Sequence, residues 1–280
     1  MKYAVWLTAF ALAFSPLDAF AQDSLEQGEA GVSEYVPPAD AVLPAVRVGV
    51  GASASLRSLF VNTSELGSDP AYFEHTPPPY LGGMLDVQIR LGRFADGRGA
   101  IGLWFEGRYG ATRDASELPA VGRTPLTDHT LGLGALTLAR KLRPNTELRV
   151  DLGVQGTSFI ITDPNPIYTG HRYLTALAGV SLTQTLGGVV PLTLRAMSLP
   201  NIATNESGGA GGGAQTFGVR AGADLGVYLM RTSDSALDLT LRYDYQRFRT
   251  QYRDNTRYGE NGGVTEDDQH LLSVLLCYAL

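Results

Sequence analysis

Read backwards from its last residue, the chain alternates. Leu280, Tyr278, Leu276, Val274 and Leu272 are apolar at every second position. A side-chain period of two belongs to a β-strand with one apolar face, whereas a helix repeats its apolar positions every three or four residues. The terminal residue is itself part of the pattern. The sequence therefore predicts a strand that runs to the C-terminus without a polar tail behind it.

The same alternation recurs upstream. At 236–246, Leu237, Leu239, Leu241, Tyr243 and Tyr245 oppose Asp238, Thr240, Arg242, Asp244 and Gln246. Strands are predicted likewise at 46–57, 84–92, 101–110, 148–157 and 217–229, with weaker ones near 129–140, 172–184 and 190–199 and the last near 269–280. In most of them one face is apolar and the other holds the charges. The 33 glycines suit strands and turns better than helices.

The connections sort by length. Short ones, each with turn residues, fall at 95–98, 143–146, 186–189 and 232–235. Long ones fall at roughly 62–79, 111–128, 161–171, 200–215 and 247–268, in strict alternation with the short. An even-stranded barrel with both chain ends on one side needs that order. A soluble β-sandwich also alternates along its strands, but nothing sorts its connections in this way. The expected fold is all-β, a ten-stranded antiparallel up-and-down transmembrane β-barrel over residues 45–280. A sheet edge exposed to lipid cannot be satisfied, so the barrel must close.

The N-terminus supplies the route. Lys2, the apolar run Tyr3 to Phe14 and Ala19-Phe20-Ala21 read as a secretory signal peptide over residues 1–21. Residues 22–44 are acidic (Asp23, Glu26, Glu29, Glu34, Asp40) and carry Pro37, Pro38 and Pro44, which predicts an extended periplasmic tail. Beyond the leader no run of 18 apolar residues remains to form a spanning helix. A net charge of -6 argues against a nucleic-acid partner, and one cysteine, Cys277, leaves no intrachain disulfide.

The terminal pattern resembles the C-terminal insertion signal of Gram-negative outer-membrane β-barrels, with Leu280 in place of the usual Phe and Tyr278 two positions before it. That resemblance implies an outer-membrane location, with outer-membrane lipid and the barrel-insertion machinery as partners. Both barrel ends would be periplasmic and the long loops extracellular. Within the class the chain resembles the porin-like outer-membrane components of gliding machinery. The acidic tail, or the loops, would then reach other envelope proteins.

The face opposite the apolar one is expected to line the lumen. It holds Arg47, Arg57, Arg90, Arg108, Arg149, Arg195, Arg220 and Arg242, with Asp86, Glu106, Asp151, Asp224, Asp238 and Asp244. Such a set either plugs the barrel with interlocking ion pairs or lines a narrow polar channel. Glycines such as Gly49, Gly51, Gly102, Gly218 and Gly222 would leave space for a small pore.

Catalytic signatures are missing: the chain has no G-x-S-x-G, no H-E-x-x-H and no phosphate loop. Gly208–Gly213 reads as a flexible loop. His75, His129, His171 and His270 fall near the outer rim, with His129 and His270 expected outward and His171 inward, so no metal cluster is expected. Asp268-x-His270 resembles one half of the catalytic set of the omptin proteases, which are also ten-stranded barrels, but no Asp-x-Asp supplies the other half. Cys277 is expected to pack inward on the last strand. The sequence thus points to a non-enzymatic barrel without cofactor or metal that anchors an envelope-spanning assembly. A narrow porin-like channel and an omptin-like rim protease are the alternatives.

Overall fold

The computed structural model describes residues 43–63, 71–95, 97–112, 117–118, 122–123, 127–161, 170–206, 214–232, 235–252 and 263–280. Ten long strands form one wall: β1 (Val46–Thr63), β2 (Tyr80–Phe94), β3 (Gly99–Ala111), β4 (Thr127–Arg143), β5 (Thr146–Ile161), β6 (His171–Leu186), β7 (Val190–Glu206), β8 (Ala214–Arg231), β9 (Ala236–Tyr252) and β10 (Gly263–Ala279). Each pairs antiparallel with its sequence neighbours, and β1 pairs with β10. The closing seam runs in continuous register from Arg47↔Ala279 to Thr63↔Gly263. Leu280 N–H donates to the Val46 carbonyl at 2.8 Å, so the terminal residue joins the seam. The expected ten-stranded up-and-down barrel is what the chain forms.

Glycine appears where the short connections need it. Gly97, Gly187 and Gly188 adopt positive φ (86°, 56° and 71°), a region open to glycine at little cost. At the other end, residues 71–75 add a short strand to the upper part of β1. Pro77, Pro78 and Pro79 separate it from β2, since proline cannot donate to the ladder.

Every strand is longer than its apolar alternation indicates. β9 runs to Tyr252 and β10 starts at Gly263, inside the long loop expected at 247–268. Beyond Tyr245 the outward positions turn polar, with Arg247 and Arg249 on β9 facing Glu266 and Asp268 on β10. Backbone pairing continues there while the hydrophobic signal stops, because the wall rises out of hydrocarbon into a polar zone. About ten residues suffice to cross a bilayer core as a tilted strand, and these strands have 13–18.

The barrel is inside-out relative to a soluble protein. Outward residues in mid-strand are apolar and bare, such as Val50 (54 % exposed), Leu152 (54 %) and Leu241 (46 %). Inward positions hold the charges. A continuous apolar belt of this kind is stable only against lipid, and the fold is a transmembrane β-barrel.

One strand departs from the expected parity. On β4 the inward face is Thr127, His129, Leu131, Leu133, Ala135 and Thr137, so His129 is buried, not outward. Leucines lie on both faces of this strand, with Leu136 and Leu138 outside, and hydrophobicity alone cannot set its orientation. The segments expected as a leader, 1–21, and as a tail, 22–44, lie outside the described residues apart from residues 43 and 44, as does Gly208–Gly213. Description begins at Leu43, which is buried with Ala100 and Ala139.

The belt gives a depth-dependent expectation. Leu152→Arg, in the middle of β5, should cost about 2–4 kcal/mol of unfolding free energy in phospholipid vesicles, whereas Leu142→Arg, beside the turn after β4, should cost about 0–1 kcal/mol. Equal costs would contradict a belt immersed in lipid.

Candidate functional site

Among the described residues the lumen concentrates buried charge. Strand parity aims Asp86 from β2, Glu106 and Arg108 from β3, and Arg220, Arg242 and Asp244 from β8 and β9 into the same space. The opposite walls meet. Arg220 Nη2 lies 2.7 Å from Glu106 Oε1 and 2.8 Å from Asp244 Oδ2. Arg108 donates to Asp244 at 2.6 Å and to Glu106 at 2.9 Å. Arg242 Nη1 lies 2.8 Å from Asp86 and 3.2 Å from Glu106. Trp104 Nε1 donates to the other side of the set, at Asp86, over 3.0 Å.

The set continues toward the short-turn end. Asp224 pairs with Arg242 and Arg195, and Arg195 Nε lies 3.2 Å from Asp244 Oδ1. Arg47 pairs with Asp238 at 3.0 Å and approaches Asp86 at 3.6 Å. Arg149 donates to Glu147 at 2.9 Å and to Gln88 at 2.6 Å. Asp151 accepts from the Thr137 hydroxyl at 2.6 Å. Arg90 stands apart at a bulge in β2 and donates to the Leu43 carbonyl at 2.7 Å. Ten of the fourteen charged positions expected in the lumen are ion-paired with one another; Arg57 pairs with Asp267, Arg149 and Asp151 bond to other groups, and Arg90 holds the chain entry instead.

Toward the long-loop end the filling changes character. A row of amides follows the ions: Gln155 donates to Gln246 at 2.7 Å and Gln246 to Gln269 at 3.0 Å. Above it Arg57 makes a two-pronged contact with Asp267, at 2.9 Å for both Nε and Nη2. The guanidinium lies 3.6 Å from the centre of the Phe159 ring. Tyr173 OH donates to Asp267 at 3.3 Å, and its ring stacks on Phe248 at 4.4 Å. His129 stacks on Phe159 at 4.5 Å and shares a 3.0 Å hydrogen bond with Ser55.

This aromatic cap was not among the sequence expectations. Phe159 and Phe248 stand on the inward parity of β5 and β9, four and two residues past the last polar position of that face that the alternation marks. Extending parity from Gln155 through Thr157 to Phe159 finds the first of them.

At two of the glycines named above, the space for a small pore is filled. A Cβ on Gly222 would sit 2.1 Å from Asp244 Oδ1, and one on Gly218 would sit 2.5 Å from the Phe248 ring. Both glycines admit a neighbour that fills the lumen. Arg57, Arg220, Arg242, Asp86, Asp244 and Asp267 are all at most 2 % exposed. Charges this far from water persist only when paired, and each arginine brings five N–H donors to share among several carboxylates.

The remaining candidates do not converge. His171 is buried inward and His270 faces outward, where Tyr243 OH lies 2.8 Å from its Nδ1. Asp268, on the same outer face, accepts from Tyr245. The Asp268 and His270 pair thus belongs to the outer wall of β10. For His75 the backbone alone is described. Cys277 is fully buried inward.

No protein-family model matches the sequence, and no curated protein matches it. Among solved structures the barrel is similar to the outer membrane protease OmpT from Escherichia coli, at 11 % identity and a TM-score of 0.46, covering 84 % of this chain and 96 % of that one. It is also similar to the Ralstonia pickettii toluene transporter TbuX, at 8 % identity and a TM-score of 0.35, covering 85 % and 90 %. A Pseudomonas aeruginosa FadL homologue follows at 9 % identity and a TM-score of 0.31, covering 85 % and 92 %. Likeness at this level carries no activity from those proteins to this one.

The arginine clamp at the long-loop end should be costly to break from one side. Asp267→Asn leaves the Arg57 guanidinium buried without its counter-ion and should destabilise the folded barrel by about 3–5 kcal/mol in detergent unfolding. Phe159→Leu removes the ring face and keeps the ion pair, and should cost about 1–2 kcal/mol. A smaller loss for Asp267→Asn than for Phe159→Leu would contradict the clamp.

Proposed function

We propose that this chain is a sealed outer-membrane barrel that serves as a structural anchor for an envelope assembly, without catalysis of its own. The observation that carries the reading is the lumen: ion pairs run from wall to wall between Glu106 and Arg220 and between Asp86 and Arg242, with all four side chains at most 2 % exposed. A conducting pore needs a continuous water path. Here the polar groups bond to one another where that water would run. A rigid plugged cylinder holds a fixed shape in lipid, which suits a part that bears other components.

The outer wall supports one orientation. The polar upper zone of β9 and β10, with Arg247, Arg249, Glu266 and Asp268, lies at the long-loop end. That zone suits the charged outer leaflet, which would place the short turns and both chain ends in the periplasm. Partners would be met through the 22–44 tail or the long loops. No feature of the described residues points to motility in particular. The rim-protease alternative is disfavoured because Asp268 and His270 stand on the outer wall in contacts with tyrosines. The narrow-channel alternative is disfavoured by the wall-to-wall pairs.

Planar-bilayer recording separates anchor from channel. The intact barrel should give no stepwise conductance. A variant with Arg108, Arg220 and Arg242 all replaced by Ser, together with Glu106→Ser and Asp244→Ser, should give small steps once the plug is removed. Discrete openings from the unaltered protein would sink the sealed-barrel reading.

A further inference from the structure

Below the ion network, at the short-turn end, the barrel is not filled. A cavity of about 180 Å³ opens there, between Arg47 on β1 and Arg149 on β5, with Arg195, Thr193 and Asp238 on the facing wall. Water occupies roughly 30 Å³ per molecule in the liquid, so this volume holds several waters or one small solute.

The carboxylate in its wall breaks the rule that governs the lumen. Asp86, Glu106, Glu147, Asp224, Asp238, Asp244 and Asp267 are each ion-paired with an arginine. Asp151 is 3 % exposed, lines the cavity and has no arginine within ion-pair distance. It accepts from the Thr137 hydroxyl at Oδ1, and Oδ2 has no hydrogen bond among the described residues. A buried carboxylate without a counter-ion is costly, and it is stabilised when a cationic group arrives.

The same cavity offers cationic donors that the network does not use. Arg149 spends Nε on Glu147 and Nη2 on Gln88. Arg195 spends Nη2 on Asp224 and turns Nε toward Asp244. Nη1 of each has no bond among the described residues. Arg149 stands two residues before Asp151 on the same face, which separates their Cα atoms by roughly 7 Å. A bare cation entering here would meet two guanidinium groups, and a bare anion would meet Asp151. A molecule with both charges satisfies both.

We propose that this vestibule binds a small zwitterion, with its ammonium group on Asp151 and its carboxylate on the Nη1 groups of Arg149 and Arg195. The site borders the plug and shares Arg195 with it, but does not depend on the anchoring role.

The chain supplies its own reporter. It has two tryptophans, Trp6 in the leader region and Trp104 in the cavity wall. The test is tryptophan fluorescence of the refolded full chain in detergent, titrated with glycine, methylammonium or acetate, with Trp104→Phe as the background. Glycine, whose ammonium can donate to Asp151, should give a saturable change. Methylammonium, which lacks the carboxylate, and acetate, which lacks the cation, should each bind roughly ten-fold more weakly or worse. Asp151→Asn should weaken glycine by a similar factor. Because Asp151 holds no arginine in place, this variant should keep the heat-modifiable gel mobility of a folded barrel. Arg149→Gln, at the solvated mouth, is the second variant and should also weaken glycine. No saturable signal with glycine, equal binding of methylammonium or acetate, or affinity unchanged in both variants would each overturn the proposal.

Discussion

A backbone inside hydrocarbon has no water to bond to, so every strand edge must find another strand. That constraint sets the rest of this molecule. It forces β10 back onto β1, and the seam runs unbroken over its whole length. Closure at ten strands then fixes a narrow bore. Side chains from opposite walls reach each other across it, and any charge on the inner face must find its partner within the bore.

The lumen shows how that demand is met. Three arginines from β3, β8 and β9 share three carboxylates from β2, β3 and β9, and with Arg47 beside Asp86 each ion has more than one neighbour of opposite sign. An isolated buried pair gains little over apolar packing, because desolvation cancels the attraction. A shared set fixes which strand faces which, since removing one member strands several others. The amide row and the aromatic cap continue the filling upward, where Phe159 and Phe248 replace ions with rings. Apolar and ionic matter thus meet inside the same cylinder, while the outside stays uniformly apolar through mid-strand.

Much of this was legible in the residues. Alternation on β9 and β10 set both faces correctly, and the terminal run from Leu272 to Leu280 located the seam. Legibility failed where the physical signal was weak. On β4, leucines on both faces hid the parity, so His129 was expected outward and is buried. At the long-loop end the strands continue on backbone hydrogen bonds while Arg247 and Glu266 replace apolar residues outside, and alternation of hydropathy no longer marks them. The glycines misled for a related reason. A missing side chain reads as space in a sequence, yet at Gly222 that space belongs to Asp244. The inward charges were visible as a set, but which arginine meets which carboxylate depends on shear around the barrel, which no single strand encodes.

The wall-to-wall contact between Glu106 and Arg220 is the point on which a sealed lumen stands. Its direct measurement is a double-mutant cycle of Glu106→Gln and Arg220→Gln, read as unfolding free energy in detergent or lipid. Residues 114 positions apart in sequence have no reason to couple unless they touch. A coupling of about 2 kcal/mol is expected for a pair in one buried network. Additive losses, with coupling near zero, would mean that water separates the two walls and that the lumen is open.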